Sequence, residues 1–301
     1  PPLAAIRTAL VSDHYAPAAV VSAILGHVVA HHARATVTEP SKVPLLPLCI
    51  CGPDGVRKTS IARSIANALG RPCGVIDLAQ LNSAEELWQR NDEPGALMSV
   101  IEKAKSADAV VVLAGFDRST ARLREEASAL FARISDADHC ANFCDPFFGV
   151  PFDLSRLLII VTSRWPQAFS GADRGLLNVA EFPGLLTSQK VQMANRTMIP
   201  EALVDHGLAA DMLSLDENAL HVLIESYTDE AGVRCLDELI RRVVRELIVA
   251  STLGDKPVPN VIQSEDLFEL AGRPPAFPKI DRESQLRGQT SVLVVDEQGG
   301  H

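Results

Sequence analysis

The chain has 301 residues, 47% apolar and 22% charged, with a net charge of −10 and a pI near 5.3. That length holds two packed domains and that composition is ordinary for a globular protein. The acidic balance argues against general DNA or RNA binding, which draws its affinity from Lys and Arg on phosphates, and no apolar run reaches the ~20 residues of a membrane span.

In chain order, the sequence opens on Pro1-Pro2 without a methionine, which reads as a processed or partial chain whose targeting segment is out of view. Residues 18 to 32 read as an amphipathic helix with Val20, Val21, Ile24, Leu25, Val28 and Val29 on one face. A buried strand is predicted over 45 to 51, and a helix over 58 to 69 with Gly70 past its end as a C-cap. A short strand follows over 74 to 78 and a helix over 94 to 105. Residues 109 to 113 (Ala-Val-Val-Val-Leu) then read as a second buried strand. Next come a helix over 120 to 134, a buried strand over 157 to 162 and a last short strand over 179 to 182. Strands alternating with helices imply a parallel sheet covered on both faces.

The character changes after Pro183-Gly184. From Thr187 the pattern is helical only, and Val233, Leu236, Leu239, Ile240, Val243, Val244, Leu247 and Ile248 form a stripe of 3.6-residue period. A Pro-rich tail (Pro274, Pro275, Pro278) leads to a short β-like run over 291 to 295. The expected organisation is an N-terminal helical lead-in over 1–40, an α/β core over 41–184, an all-helical domain over 185–273, and over 274–301 a linker and the start of a further domain.

The six cysteines (Cys49, Cys51, Cys73, Cys140, Cys144, Cys235) show no paired C-x-x-C spacing, so no zinc site is expected. Cys140 and Cys144, near His139, read as unrelated thiols. Cysteines placed in core elements fit a reducing compartment.

The segment Gly52-Pro53-Asp54-Gly55-Val56-Arg57-Lys58-Thr59-Ser60 follows a strand and opens a helix. It matches the phosphate-binding loop G-x-x-x-x-G-K-[ST] except that Arg57 replaces the second glycine. In such a loop, backbone N–H groups and a helix N-terminus surround phosphates, the lysine reaches the β and γ oxygens, and the hydroxyl holds Mg²⁺. Lys58 and Thr59 keep those abilities. Arg57 either adds a cation near the phosphates or fills their pocket. The metal-holding and water-activating acids of an ATPase belong after a buried strand. Here that strand is followed by Ala114 and Gly115, which can do neither, and Asp117 reads as a solvated loop residue.

The chain resembles the AAA+ ATPase module of Lon proteases. The resemblance is carried by Ser12-Asp13-His14-Tyr15, the loop just described, Ile61-Ala62-Arg63-Ser64-Ile65-Ala66 and Ala127-Ser128-Ala129-Leu130. It continues through Val150-Pro151-Phe152-Asp153-Leu154-Ser155, Glu181-Phe182-Pro183-Gly184, Ile199-Pro200 and Glu230-Ala231-Gly232-Val233-Arg234. It implies a P-loop NTPase core with a parallel sheet, a helical lid, ATP or ADP with Mg²⁺, and Arg234 as the sensor-2 arginine. It also marks departures. Ala114-Gly115 stand for the Walker B acids, Arg164 for the sensor-1 asparagine and, by an ungapped count, Leu176 for the arginine finger. The aromatic–aliphatic pore-loop pair is missing, and Trp88, the nearby aromatic, is expected to pack. The run over 291 to 300 resembles the first strand of the family's protease domain.

The function implied is a Lon-like pseudo-ATPase without hydrolysis or proteolysis. It would hold nucleotide structurally and serve as a scaffold or assembly subunit in a larger, mitochondrial complex. Two alternatives stay open: an ATP-dependent Lon-type serine protease subunit, and an inactive regulatory subunit in a mixed Lon ring.

Overall fold

A computed structural model of the chain describes residues 2–36, 46–90, 93–145, 147–253, 260–275, 295–296 and 299–300. The chain divides into two compact units, Pro1–Gly52 with Lys58–Pro183, and Pro53–Arg57 with Gly184–His301.

The first unit is built on a five-stranded parallel sheet. Its strands are β1 (Leu48–Cys51), β2 (Cys73–Asp77), β3 (Val110–Ala114), β4 (Leu158–Ser163) and β5 (Asn178–Glu181), in spatial order β2-β3-β4-β1-β5. β1, β3 and β4 are buried along their whole length, which is why they read as unbroken apolar runs rather than alternating ones. The helices of this unit are α1 (Pro2–Ser12), α2 (Ala18–Thr36), α3 (Lys58–Leu69), α4 (Ala96–Ala104), α5 (Ala121–Ser135), α6 (Ala137–Ala141) and α7 (Gly171–Gly175). Thr120 caps α5 by accepting the Leu123 N–H at 3.3 Å.

One core cluster joins the sheet to α4 and α5 through Leu87, Leu97, Leu130, Phe131, Ile159 and Val161. Phe116, just past β3, stacks on Phe169 with centroids 4.3 Å apart and leans on Phe131 at 5.9 Å. Trp88 is buried in the same cluster, as expected. Its Nε1 donates to Glu126 Oε2 at 2.9 Å, its ring tilts against Phe143 at 5.8 Å, and the Arg133 guanidinium lies 5.7 Å above it.

Helix α1 lies within the helical lead-in expected over 1–40, and its Ile6 and Leu10, one turn apart, are fully buried. Two details of the sequence reading are corrected. In α2, Val29 is exposed, and His27 and His31 take buried positions instead. Of the cysteines, Cys49, Cys51 and Cys140 are buried, whereas Cys144 and Cys235 are exposed.

The second unit carries α8 (Thr187–Met193), α9 (Ile199–Asp205), α10 (Glu217–Val222), α11 (Arg234–Leu253) and α12 (Leu267–Ala271). The stripe on α11 is its packing face: Leu236, Ile240, Val243 and Val244 are fully buried. A wide π-helical turn, Ala194–Met198, links α8 to α9, and Pro200 falls in the first turn of α9. Proline has no N–H to give to the turn behind it, and the wider turn accommodates that loss. The unit is not helical throughout. Ser214–Leu215 and Val261–Ile262 form a two-residue parallel pair. Of the β-like run over 291 to 295, only Val295 falls among the described residues. Among those residues, no helix is long and apolar enough to cross a membrane.

Candidate nucleotide-binding site

The phosphate loop spans the turn from β1 to α3. Gly52 donates its N–H to the carbonyls of Ser163 and Arg164, at 3.2 and 3.1 Å, which fixes the start of the loop against β4. Lys58 opens α3, and its Nζ donates to the Gly52 carbonyl at 2.6 Å, so both ends of the loop are joined. Thr59 and Ser60 stand half-buried in the first turn of α3; within the loop, Pro53 and Asp54 are also half-buried and Val56 is buried.

Arg57 has φ of 61°. A glycine takes that backbone without strain, whereas an L-residue there costs ~1–2 kcal/mol. The loop therefore keeps the path that a glycine would give it. The Arg57 side chain does not fold back; its Nη2 pairs with Glu201 Oε2 of α9 at 3.0 Å. Sequence reasoning missed Glu201, because nothing local marks a residue 144 positions away.

The tip of the loop belongs with the second unit. Val233 donates its N–H to the Gly55 carbonyl at 3.1 Å. A Cβ on Gly232 would stand 2.3 Å from the Gly55 carbonyl carbon and 2.4 Å from the Asp54 oxygen, so only glycine fits. Glu230 caps α11: its Oε2 accepts the Arg234 N–H at 2.9 Å and its Oε1 the Leu236 N–H at 3.0 Å. The buried Lys190 donates its ammonium to the Glu230 carbonyl. Burial lowers the Lys190 pKa, against the raising pull of Glu230 and Asp229. These contacts explain physically why the Glu-Ala-Gly-Val-Arg segment has its form. The Arg234 side chain is exposed and meets Glu238, one turn along, at 3.4 Å.

Ala114, Gly115 and Arg164 lie at the ends of β3 and β4. Ala114 closes β3 and is buried. Gly115 has φ of 71° and donates its N–H to Thr162 Oγ1 at 3.2 Å. Asp117 is not a solvated loop residue. Its side chain is 4% exposed; Oδ1 accepts the Arg164 N–H at 3.0 Å and Oδ2 accepts Arg164 Nε at 2.6 Å. Burial pushes the Asp117 carboxyl up, but the hydrogen bonds and charge of Arg164 outweigh it and hold the group below the usual carboxylate range. The Arg164 guanidinium also lies 4.8 Å from the Trp165 ring centroid. Leu176 ends α7 and packs against the core cluster. Two residues earlier Arg174 is exposed, with Nε donating to the Pro166 carbonyl at 3.2 Å.

Chemically, the loop offers what phosphates need: a helix N-terminus, the Lys58 ammonium and the glycine-like backbone path. The metal side is thinner. Thr59 offers one hydroxyl, Ala114 and Gly115 offer no ligand, and the nearby carboxylate of Asp117 is bound by Arg164.

A phosphate loop between a parallel strand and a helix, a 5-stranded sheet and a helical second unit define a nucleotide-binding ATPase core of the AAA+ class. Residues 48–182 match the family model described as "ATPase family associated with various cellular activities (AAA)", and residues 204–258 match that of the Lon protease AAA+ ATPase lid domain. The chain is 30% identical to a Lon protease of Phenylobacterium zucineum (strain HLK1) over 99% of this chain and 37% of that protein. It is 34% identical to a Lon protease of Amoebophilus asiaticus (strain 5a2) over 78% of this chain and 29% of that protein. A Lon protease of Dictyoglomus thermophilum is 29% identical over 96% and 36%, respectively. The chain belongs to the Lon protease family, of which it carries the AAA+ ATPase module and the Lon lid domain. It spans about a third of the length of the curated relatives it matches.

Proposed function

We propose that this chain is a Lon-family pseudo-ATPase: it binds ATP or ADP as a structural element and does not turn it over. In this reading residues 41–184 are the core and 185–273 the lid, Gly52 to Ser60 and Arg234 meet the nucleotide, and Thr59 meets its Mg²⁺. The observation that carries the proposal is the Arg164–Asp117 pair. A carboxylate with its oxygens taken up by a guanidinium, and its pKa held low, is a poor base for water. Beside it, Ala114 and Gly115 supply neither metal ligand nor base. Hydrolysis needs positioned metal, positioned water and a neutralising cation, and loss of one such part costs orders of magnitude in rate.

Such a module serves as a scaffold or assembly subunit of a larger complex, which we place in the mitochondrion. The burial of Trp88 supports the same reading, since a packed indole does not grip a threaded polypeptide. The test is ATP turnover by the purified chain against a Lys58→Ala control. Turnover above the control overturns the proposal. Native mass spectrometry of the chain from its own cells should then find one nucleotide within a hetero-complex.

Arg174 favours a second reading, an inactive subunit within a mixed Lon ring. An exposed arginine on α7 gives a neighbouring subunit's site the cation that Leu176 cannot. Co-purification with a complete Lon protease, whose ATPase rate falls when Arg174→Ala is introduced into this chain, selects that reading. A complete ATP-dependent protease, as the relatives are named, requires acids from outside this chain; the turnover assay decides it too.

A further inference from the structure

Arg57 keeps a glycine's backbone path while adding a guanidinium to the phosphate loop. That guanidinium rests on Glu201 at 3.0 Å. Glu201 stands in the first turn of α9. A carboxylate and a phosphate present an arginine with closely similar pairs of oxygens. The pair is accessible to water, with side chains 24% and 45% exposed, and pairs of that kind hold weakly. A chain of phosphates carries more charge than one carboxylate and is the stronger acceptor.

We propose that Glu201 holds the place of phosphate for Arg57, and that a nucleoside triphosphate binds by exchange. Arg57 leaves the carboxylate and takes a phosphate oxygen, so Arg57 adds affinity and Glu201 opposes it. The substitution of arginine for glycine thus turns a passive loop position into a ligand under the control of α9. The proposal rests on the reading that the loop still binds nucleotide.

The test is calorimetric titration of the full chain with ATP and with ADP, each with Mg²⁺, for wild type, Glu201→Gln, Arg57→Gly and the double variant. Thermal melts check that each is folded. Glu201→Gln should tighten ATP binding about two- to fivefold, the range expected for releasing an exposed pair. Arg57→Gly should weaken it about tenfold, as loss of a charge-assisted contact does. The double variant should match Arg57→Gly, because Glu201 then has nothing to withhold. Unchanged or weaker binding by Glu201→Gln overturns the proposal, as does a Glu201→Gln effect that persists in the Arg57→Gly background. If the wild type binds neither nucleotide, the retention of nucleotide fails as a reading. In that case ATP binding gained by Glu201→Gln upholds the exchange, and its absence overturns that as well.

Discussion

Arg164 and Asp117 tie together the ends of two neighbouring strands, with Arg164 Nε 2.6 Å from Asp117 Oδ2 and the Arg164 N–H 3.0 Å from Oδ1. The carboxylate is buried while the guanidinium reaches water, so the pair sits between a surface ion pair and a fully buried one. Asp117→Asn should therefore cost about 2 kcal/mol at pH 7, below the value for breaking a fully buried pair. The folded-state pKa is depressed. The pair's contribution is then present above the ordinary carboxylate pKa of about 4 and is lost as pH falls below it. Urea unfolding at pH 7 and at pH 3 should show the gap between wild type and variant narrowing at the lower pH.

On the proposed pseudo-ATPase reading, placing acids at Ala114 and Gly115 should not by itself give hydrolysis. In Ala114→Asp/Gly115→Glu, phosphate release is expected to stay at the level of Lys58→Ala, because Arg164 still binds Asp117. The same double variant should melt lower. Gly115 has φ of 71°, which costs a glutamate ~1–2 kcal/mol, and its Cβ would stand 3.1 Å from Arg118 Nη2. Turnover above the control would show that Arg164 and Leu176 are no obstacle.

Gly232→Ala should destabilise the second unit by roughly 1–3 kcal/mol, as overpacking does. The new methyl meets backbone atoms of Asp54 and Gly55, which cannot rotate aside. Hydrogen exchange should speed up at the start of α11 and in the loop tip together. Gly26→Ala is the control. Nothing lies within 4 Å of that Cβ, in the middle of α2, and the change should stabilise by ~0.5–1 kcal/mol.

His27 gives a prediction at milder pH. Burial, with a smaller push from His31, lowers its pKa from 6.5 to about 4, and Asn178 Nδ2 lies 3.3 Å from its Nδ1. The folded chain holds this imidazole neutral, whereas the unfolded chain protonates it below pH 6.5. Stability from this group is therefore lost as pH falls from 6.5 towards 4, by at most about 1.4 kcal/mol per pH unit. Urea midpoints at pH 7, 6 and 5 should fall in wild type and fall less in His27→Gln.

The strands were legible because burial on both faces leaves an apolar signature that needs no partner to interpret. β3 and β4 lie one residue from where composition put them. The phosphate loop was legible because its chemistry is local: glycines, a lysine and a hydroxyl within nine residues. What escaped was long-range. Arg164 and Asp117 are 47 residues apart, and neither type announces the other. The conformation of Arg57 escaped too, since the residue type argues against a left-handed backbone that the rest of the loop imposes. Ser214–Leu215 pairs with Val261–Ile262 over two residues, too few for an alternating pattern to show.

The chain has two tryptophans, and they differ in their exposure to water. Each carries an arginine over its ring, but Trp88 is 8% exposed within the core, whereas Trp165 is 36% exposed beside the Arg164 guanidinium. Indole emission shifts to the red with contact to water. A Trp88→Phe variant would leave a single tryptophan stacked on the arginine that binds Asp117. Its colour and quenching would then report, without an added label, whether that arginine stays where it is while nucleotide is titrated in.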